Sequence, residues 1–114
     1  MTTFSKLNQY GLNFQIKVLS SLLKNKKFLL NIRDVVTPDY FDNQGMQWLV
    51  ETTIKYFDKY HSNPTLDTLH IEVKKIENDV LKTSVIEQLK EAYKASNEDA
   101  EYVEQEFANF CKNQ

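Results

Sequence analysis

The chain has little of what punctuates a β-rich or disulfide-built fold. Two glycines and two prolines in 114 residues leave few sites for the tight turns that hairpins need, which argues against an all-β architecture. A single cysteine, Cys111, cannot form an internal disulfide, so the domain must hold together through its core and fits a reducing cytoplasm. No apolar run approaches the roughly 20 residues that span a bilayer. The opening MTTFSKLNQYG has neither the basic segment nor the apolar run of a signal peptide. There is no Gly-rich phosphate loop, because neither glycine has a second glycine or a Lys-Ser/Thr pair at the required spacing. The two histidines, His61 and His70, are not spaced with Cys111 as a metal site requires. No catalytic residue, cofactor or metal is therefore expected.

What is present points to helices. Leu, Lys, Glu, Gln and Asn abound, and about 114 residues suffice to hide roughly two-thirds of the unfolded surface in one domain. The expected fold is all-α, a compact bundle of five to six helices. Its centre is the stretch NQGMQWLVETTIKYFDKY, Asn43 to Tyr60. At 100° per residue, Met46, Leu49, Val50, Thr53, Ile54, Phe57 and Tyr60 share one broad face, with Glu51, Lys55, Asp58 and Lys59 opposite. That breadth calls for two neighbours, the first helix and the helix beginning at Val80.

Capping residues divide the rest. Leu12 to Lys24 reads as a first helix, apolar nearly all round, with a main stripe of Leu12, Ile16, Leu19, Leu22 and Leu23 and with Phe14 and Val18 on the far side. Asn25 stops it, and Lys26 to Ile32 forms a short second helix. Thr37-Pro38-Asp39 sets a capping side chain before a proline, predicting one turn over Pro38 to Phe41. Asp42 or Asn43 caps the central helix, which ends before the His61-Ser62-Asn63-Pro64 loop. Thr65 caps a helix from Leu66 to about Glu77, with Leu66, Leu69, Val73 and Ile76 inward. Asn78-Asp79 opens another over Val80 to Lys94, burying Val85, Ile86, Leu89, Ala92 and Tyr93. Ser96 to Asp99 cap a last helix showing Val103, Phe107, Phe110 and Cys111 on one face.

The formal charge of −2 and pI of 5.7 do not favour a nucleic-acid surface. Lys24, Lys26 and Lys27 near Arg33, and Lys74 with Lys75, are small clusters with no aromatic interleaved to stack bases. Direct nucleic-acid binding is not expected, and a helix-turn-helix regulator is the weaker rival class. The signal lies in surfaces. Phe14, Val18 and Trp48 fall away from their helices' main stripes, and Val103, Phe107 and Phe110 precede no Gly or Pro stop. Trp48 has two readings, packing on the Pro38–Asp42 turn or belonging to a partner-binding patch. Together these six residues are the candidate interface, with Phe107 and Phe110 as anchors of self-association.

FQIKVLSSLL (Phe14 to Leu23), KFLLNI, the VVTPDYF turn (Val35 to Phe41), QWLVETTIKYFDKYHSNPT and the late DAEYVEQEF run stand in an order that resembles the N-terminal domain of DnaB-type replicative helicases. The tailed-phage versions are the most similar. The likeness covers Leu12 to the end and departs at Gln15, where the bacterial family usually has an acidic residue. It implies a lead over residues 1–11, a helical head over 12–95 and, over 96–114, the first arm of a helical hairpin. The family's ATPase domain would follow in a longer polypeptide. Implied too is a non-catalytic collar in the cytoplasm (a host's, if phage-encoded) that associates with copies of itself and recruits primase or a helicase loader. The alternative is a free-standing phage adaptor, either a loader or a helicase-binding inhibitor.

Overall fold

Side-chain caps set four of the six helix starts in the computed structural model, which describes residues 7–114. Residues 1–6 of the expected N-terminal lead lie outside the described residues. Six α-helices occupy the described chain: α1 (Leu12–Lys24), α2 (Lys26–Ile32), α3 (Gln44–Tyr60), α4 (Leu66–Lys74), α5 (Asp79–Lys94) and α6 (Ala100–Lys112). Two short 3-10 turns, Leu7–Tyr10 and Pro38–Tyr40, precede α1 and α3. Asn25, Asn43, Thr65 and Asn78 each accept a hydrogen bond from the backbone N–H three residues on, satisfying one otherwise unpaired donor of α2, α3, α4 and α5. Asn25 serves two elements, because its own N–H donates to the Ser21 carbonyl and ends α1 at 2.8 Å.

Three local expectations are corrected. Thr37 makes no side-chain cap, so the Pro38–Tyr40 turn relies on its backbone and on the fixed geometry of Pro38. Asp99 does not cap α6 either; its carboxylate reaches across to Lys17 on α1 at 2.9 Å. Helix α4 stops at Lys74, short of Glu77. The Lys75 and Ile76 N–H groups turn back to the Glu72 and Val73 carbonyls, leaving Ile76 to pack from a tightened turn.

The core fills the space around α1 and α3. α3 lies along α5 and also meets α1, the two neighbours its broad face requires. α1 additionally touches α2, α5, α6 and the first 3-10 turn, so it is covered on nearly every side. At Gly45, α3 comes close against α5. A Cβ there would lie 2.8 Å from the backbone carbonyl carbon and oxygen of Ser84, and glycine is what allows the helices to touch. The expected inward residues Leu49, Val50, Phe57, Val85 and Leu89 are buried. Leu12, Tyr60, Leu66 and Ile86 are not, being 53%, 55%, 39% and 38% exposed.

Candidate interaction surfaces

The six candidate interface residues separate into two groups. Val18, Val103, Phe107 and Phe110 are interior, none more than 4% exposed, which corrects the expectation that α6 presents an uncovered apolar face. The cover comes from earlier parts of the chain. Phe107 meets Phe28 edge-on at 6.0 Å and Phe41 at 6.1 Å, and Phe110 meets Tyr40 edge-on at 5.0 Å and Tyr10 at 6.0 Å. Edge-to-face contacts of this kind add to the gain from burial alone. Val18 is interior because α1 is sandwiched, so its second apolar face meets other helices of the same chain. Phe14 is half-buried and stacked on Tyr10 at 4.6 Å. Trp48, also half-buried, stands apart from these five.

Trp48 forms one end of a cleft of about 770 Å³ between α3 and the α4–α5 connection. The Pro38–Asp42 turn is not among its walls. Trp48, Thr52, Tyr56 and Tyr60, four residues apart, make the α3 side, while Pro64, Ile76 and Leu81 face them. Residues at that spacing lie one above another on a helix surface. The Tyr56 and Tyr60 rings are 4.6 Å apart, and the Lys59 ammonium lies 5.4 Å from the Tyr60 ring centre. Two of the cleft's lysines are matched by carboxylates: Lys55 with Glu51 at 3.2 Å and Lys75 with Glu72 at 2.8 Å. Aromatic walls with balanced charge suit a peptide or protein surface better than a phosphate chain, which would need unmatched cations. The signal for this cleft was the ladder of Trp48, Thr52, Tyr56 and Tyr60 at four-residue spacing, of which the apolar stripe takes in only Tyr60.

The loop closing the cleft is built by one unusual residue. His61 adopts the left-handed conformation (φ 58°, ψ 35°) and its N–H closes α3 on the Phe57 carbonyl at 2.7 Å. Asn63 then donates to the Leu22 carbonyl at 2.7 Å, tying the loop to the C-terminal end of α1. In the last turn of α3, three residues before His61, Asp58 is gripped by two guanidinium nitrogens of Arg33, at 2.5 and 2.6 Å. That hydrogen bonding, above all, holds the Asp58 carboxyl below its ordinary value and raises Arg33.

Cys111 is buried, and the loss of water around it pushes the thiol up to about 12. No group of three or more His, Cys, Asp or Glu side chains converges among the described residues. Among the described residues no helix is long and apolar enough to cross a membrane. The class defined so far is an all-helical domain whose distinctive features are clefts and grooves. No protein-family model, curated protein or solved structure matches the chain.

Proposed function

We propose that this chain is a non-catalytic helical interaction domain, and in its specific form the N-terminal collar of a DnaB-type replicative helicase. One observation supports the reading above others: the stretches that carry the resemblance are the joints of the core. Phe14 to Leu23 lies in the helix that touches most other elements. Tyr40 and Phe41 of the VVTPDYF turn meet Phe110 and Phe107 of the DAEYVEQEF helix. In this role the domain associates with further copies of itself, shapes a ring around DNA, and recruits primase or a loader through surfaces such as the Trp48 cleft.

The test pairs the chain with the primase and the loader encoded in the same genome, by calorimetric titration, and measures self-association by sedimentation over a concentration series. The collar reading expects self-association and binding to one of the two proteins. Trp48→Ala should weaken that binding at least about tenfold if the cleft is the contact, as buried tryptophans at interfaces commonly do. A monomer at every concentration that binds neither protein would sink it.

A second reading, the free-standing adaptor, is favoured by the closure of α6. Phe107 is 0% and Phe110 4% exposed, so the body needs no second subunit to cover its rings. Adding the chain to the intact helicase of its genome separates the two. An adaptor changes the rate of ATP hydrolysis or unwinding, whereas a collar domain leaves both unchanged.

A further inference from the structure

The groove between α4 and α5 differs from the Trp48 cleft in both floor and charge. Leu66 and Val73 on α4 and Ile86, Leu89 and Tyr93 on α5 form an apolar floor around about 280 Å³. On α4 the positions 66, 70 and 73 recur at four and three residues. On α5 the positions 86, 89, 90, 93 and 94 do the same, so each wall is one helix face. Two floor residues remain open to solvent, Leu66 at 39% and Ile86 at 38%. Val73 and Leu89 are buried beneath them.

The rim carries one sign. His70, Lys90 and Lys94 complete the lining, and no Asp or Glu is part of it. Lys24, at the end of α1 and outside the lining, donates to the Tyr93 carbonyl at 3.4 Å with its ammonium 5.6 Å from the centre of the Tyr93 ring. Among the described residues one ion pair engages these groups, Lys94 with Glu91 at 3.8 Å; Glu91 and Glu87 line a different hollow, toward Leu12 and Ile16 of α1. In a chain with net charge −2, an apolar floor bordered only by cations and a histidine is a local reversal of the protein's own field.

From this complementarity we propose that the α4–α5 groove docks an amphipathic helix of another protein, apolar on the inserted side and acidic on its flanks. Two helix faces bordering an apolar trough can accept a third helix through anchors spaced i, i+4 and i+7. The flanking carboxylates would meet Lys90, Lys94 and Lys24, fixing the orientation of the incoming helix and speeding its arrival. The inference does not rest on the collar reading: it requires only this groove, and it stands or falls separately.

The probe is a fluorescein-labelled helical peptide with leucines at i, i+4 and i+7 and glutamates on both flanks, titrated with the full chain by fluorescence anisotropy. Its control carries lysines in place of the glutamates. The acidic peptide should bind at least about tenfold more tightly than the control, as like charges set against the rim are penalised. Ile86→Asp should abolish binding, and the double variant Lys90→Glu/Lys94→Glu should erase or reverse the preference. Circular dichroism checks the fold of each variant. If Ile86→Asp does not fold, the lysine pair decides alone, since both side chains are exposed. Equal binding of the two peptides, binding by neither, or a preference that survives the lysine reversal would overturn the proposal. So would self-association of the chain that Ile86→Asp dissolves, which would give the groove to a second copy.

Discussion

Gln15 and Asp42 hold each other by two hydrogen bonds across 27 positions of sequence. The Gln15 Nε2 donates to Asp42 Oδ2 at 3.0 Å, and the Asp42 backbone N–H donates to Gln15 Oε1 at 2.9 Å. Gln15 is wholly buried in α1, and this amide is what fastens the turn before α3 to the central helix of the core.

Replacing it should therefore cost more than its size suggests. Gln15→Leu keeps the volume but withdraws both bonds, leaving the Asp42 N–H to find water. A loss of about 1–3 kcal/mol is expected, read by urea titration with an unchanged slope. A variant as stable as the parent would show that water substitutes fully at this joint.

At Gly45 the expected effect is steric. Gly45→Ala sets a methyl against the Ser84 backbone at 2.8 Å, so α3 and α5 must separate at roughly 1–3 kcal/mol, the usual penalty of overpacking. Ser84→Ala removes the hydroxyl but not the carbonyl group, and combining the two substitutions should restore only part of the loss. Full rescue in thermal melts would assign the clash to the hydroxyl alone.

Helix starts were legible because their chemistry is local. Asn43, Thr65 and Asn78 act on backbone groups three residues away, and a short window of sequence contains both partners; Asn25 reads only as the stop of α1, although it caps α2 as well. The fate of α6 was not legible for the opposite reason. Phe107 and Phe110 are covered by Tyr10, Phe28, Tyr40 and Phe41, and periodicity says that a face is apolar without saying which distant residues meet it. Asp99 shows the same limit on a smaller scale, since a cap and a cross-helix partner for Lys17 need the same side chain in the same place. The Trp48 cleft was half legible: its tryptophan stood out, while periodicity puts Tyr60 on the buried face of its helix and Tyr56 on neither face.

Two carboxylates should shape the acid limb of the stability profile. Hydrogen bonds from Arg33 and Lys17 hold Asp58 and Asp99 below the usual aspartate value of 3.8. A depressed folded value means the contribution is present above 3.8 and disappears as pH falls through the lower folded values. Carboxyl NMR titrations should give both residues midpoints below 3.8. Asp58→Asn and Asp99→Asn should each flatten the fall in stability in that acid window, modestly, because both pairs border solvent. An unaltered acid limb in both variants would contradict these assignments.

Cys111 should behave as a reporter of unfolding. With its thiol pushed up to about 12 and its side chain enclosed, it should resist a disulfide reagent at neutral pH in the native protein. In denaturant it should react at the rate of a free cysteine. Native labelling should then accelerate in step with any substitution that lowers global stability, such as Leu19→Ala, expected to cost about 2–5 kcal/mol. Rapid labelling of the undisturbed protein would mean that the end of α6 opens independently of the rest.

The aromatic cluster joins Tyr10, Phe28, Tyr40 and Phe41 to rings that are synthesised last among the described helices. On the ribosome, α3 and α5 can pair as soon as residue 94 has emerged, but Phe28, Tyr40 and Phe41 have no cover until α6 follows. Chains grow by about 5–20 residues per second, so after residue 94 a nascent polypeptide carries these rings bare for about 1–3 s. A ribosome that stalls in this interval leaves a body with its own docking seam open, attractive to chaperones and to other unfinished copies alike.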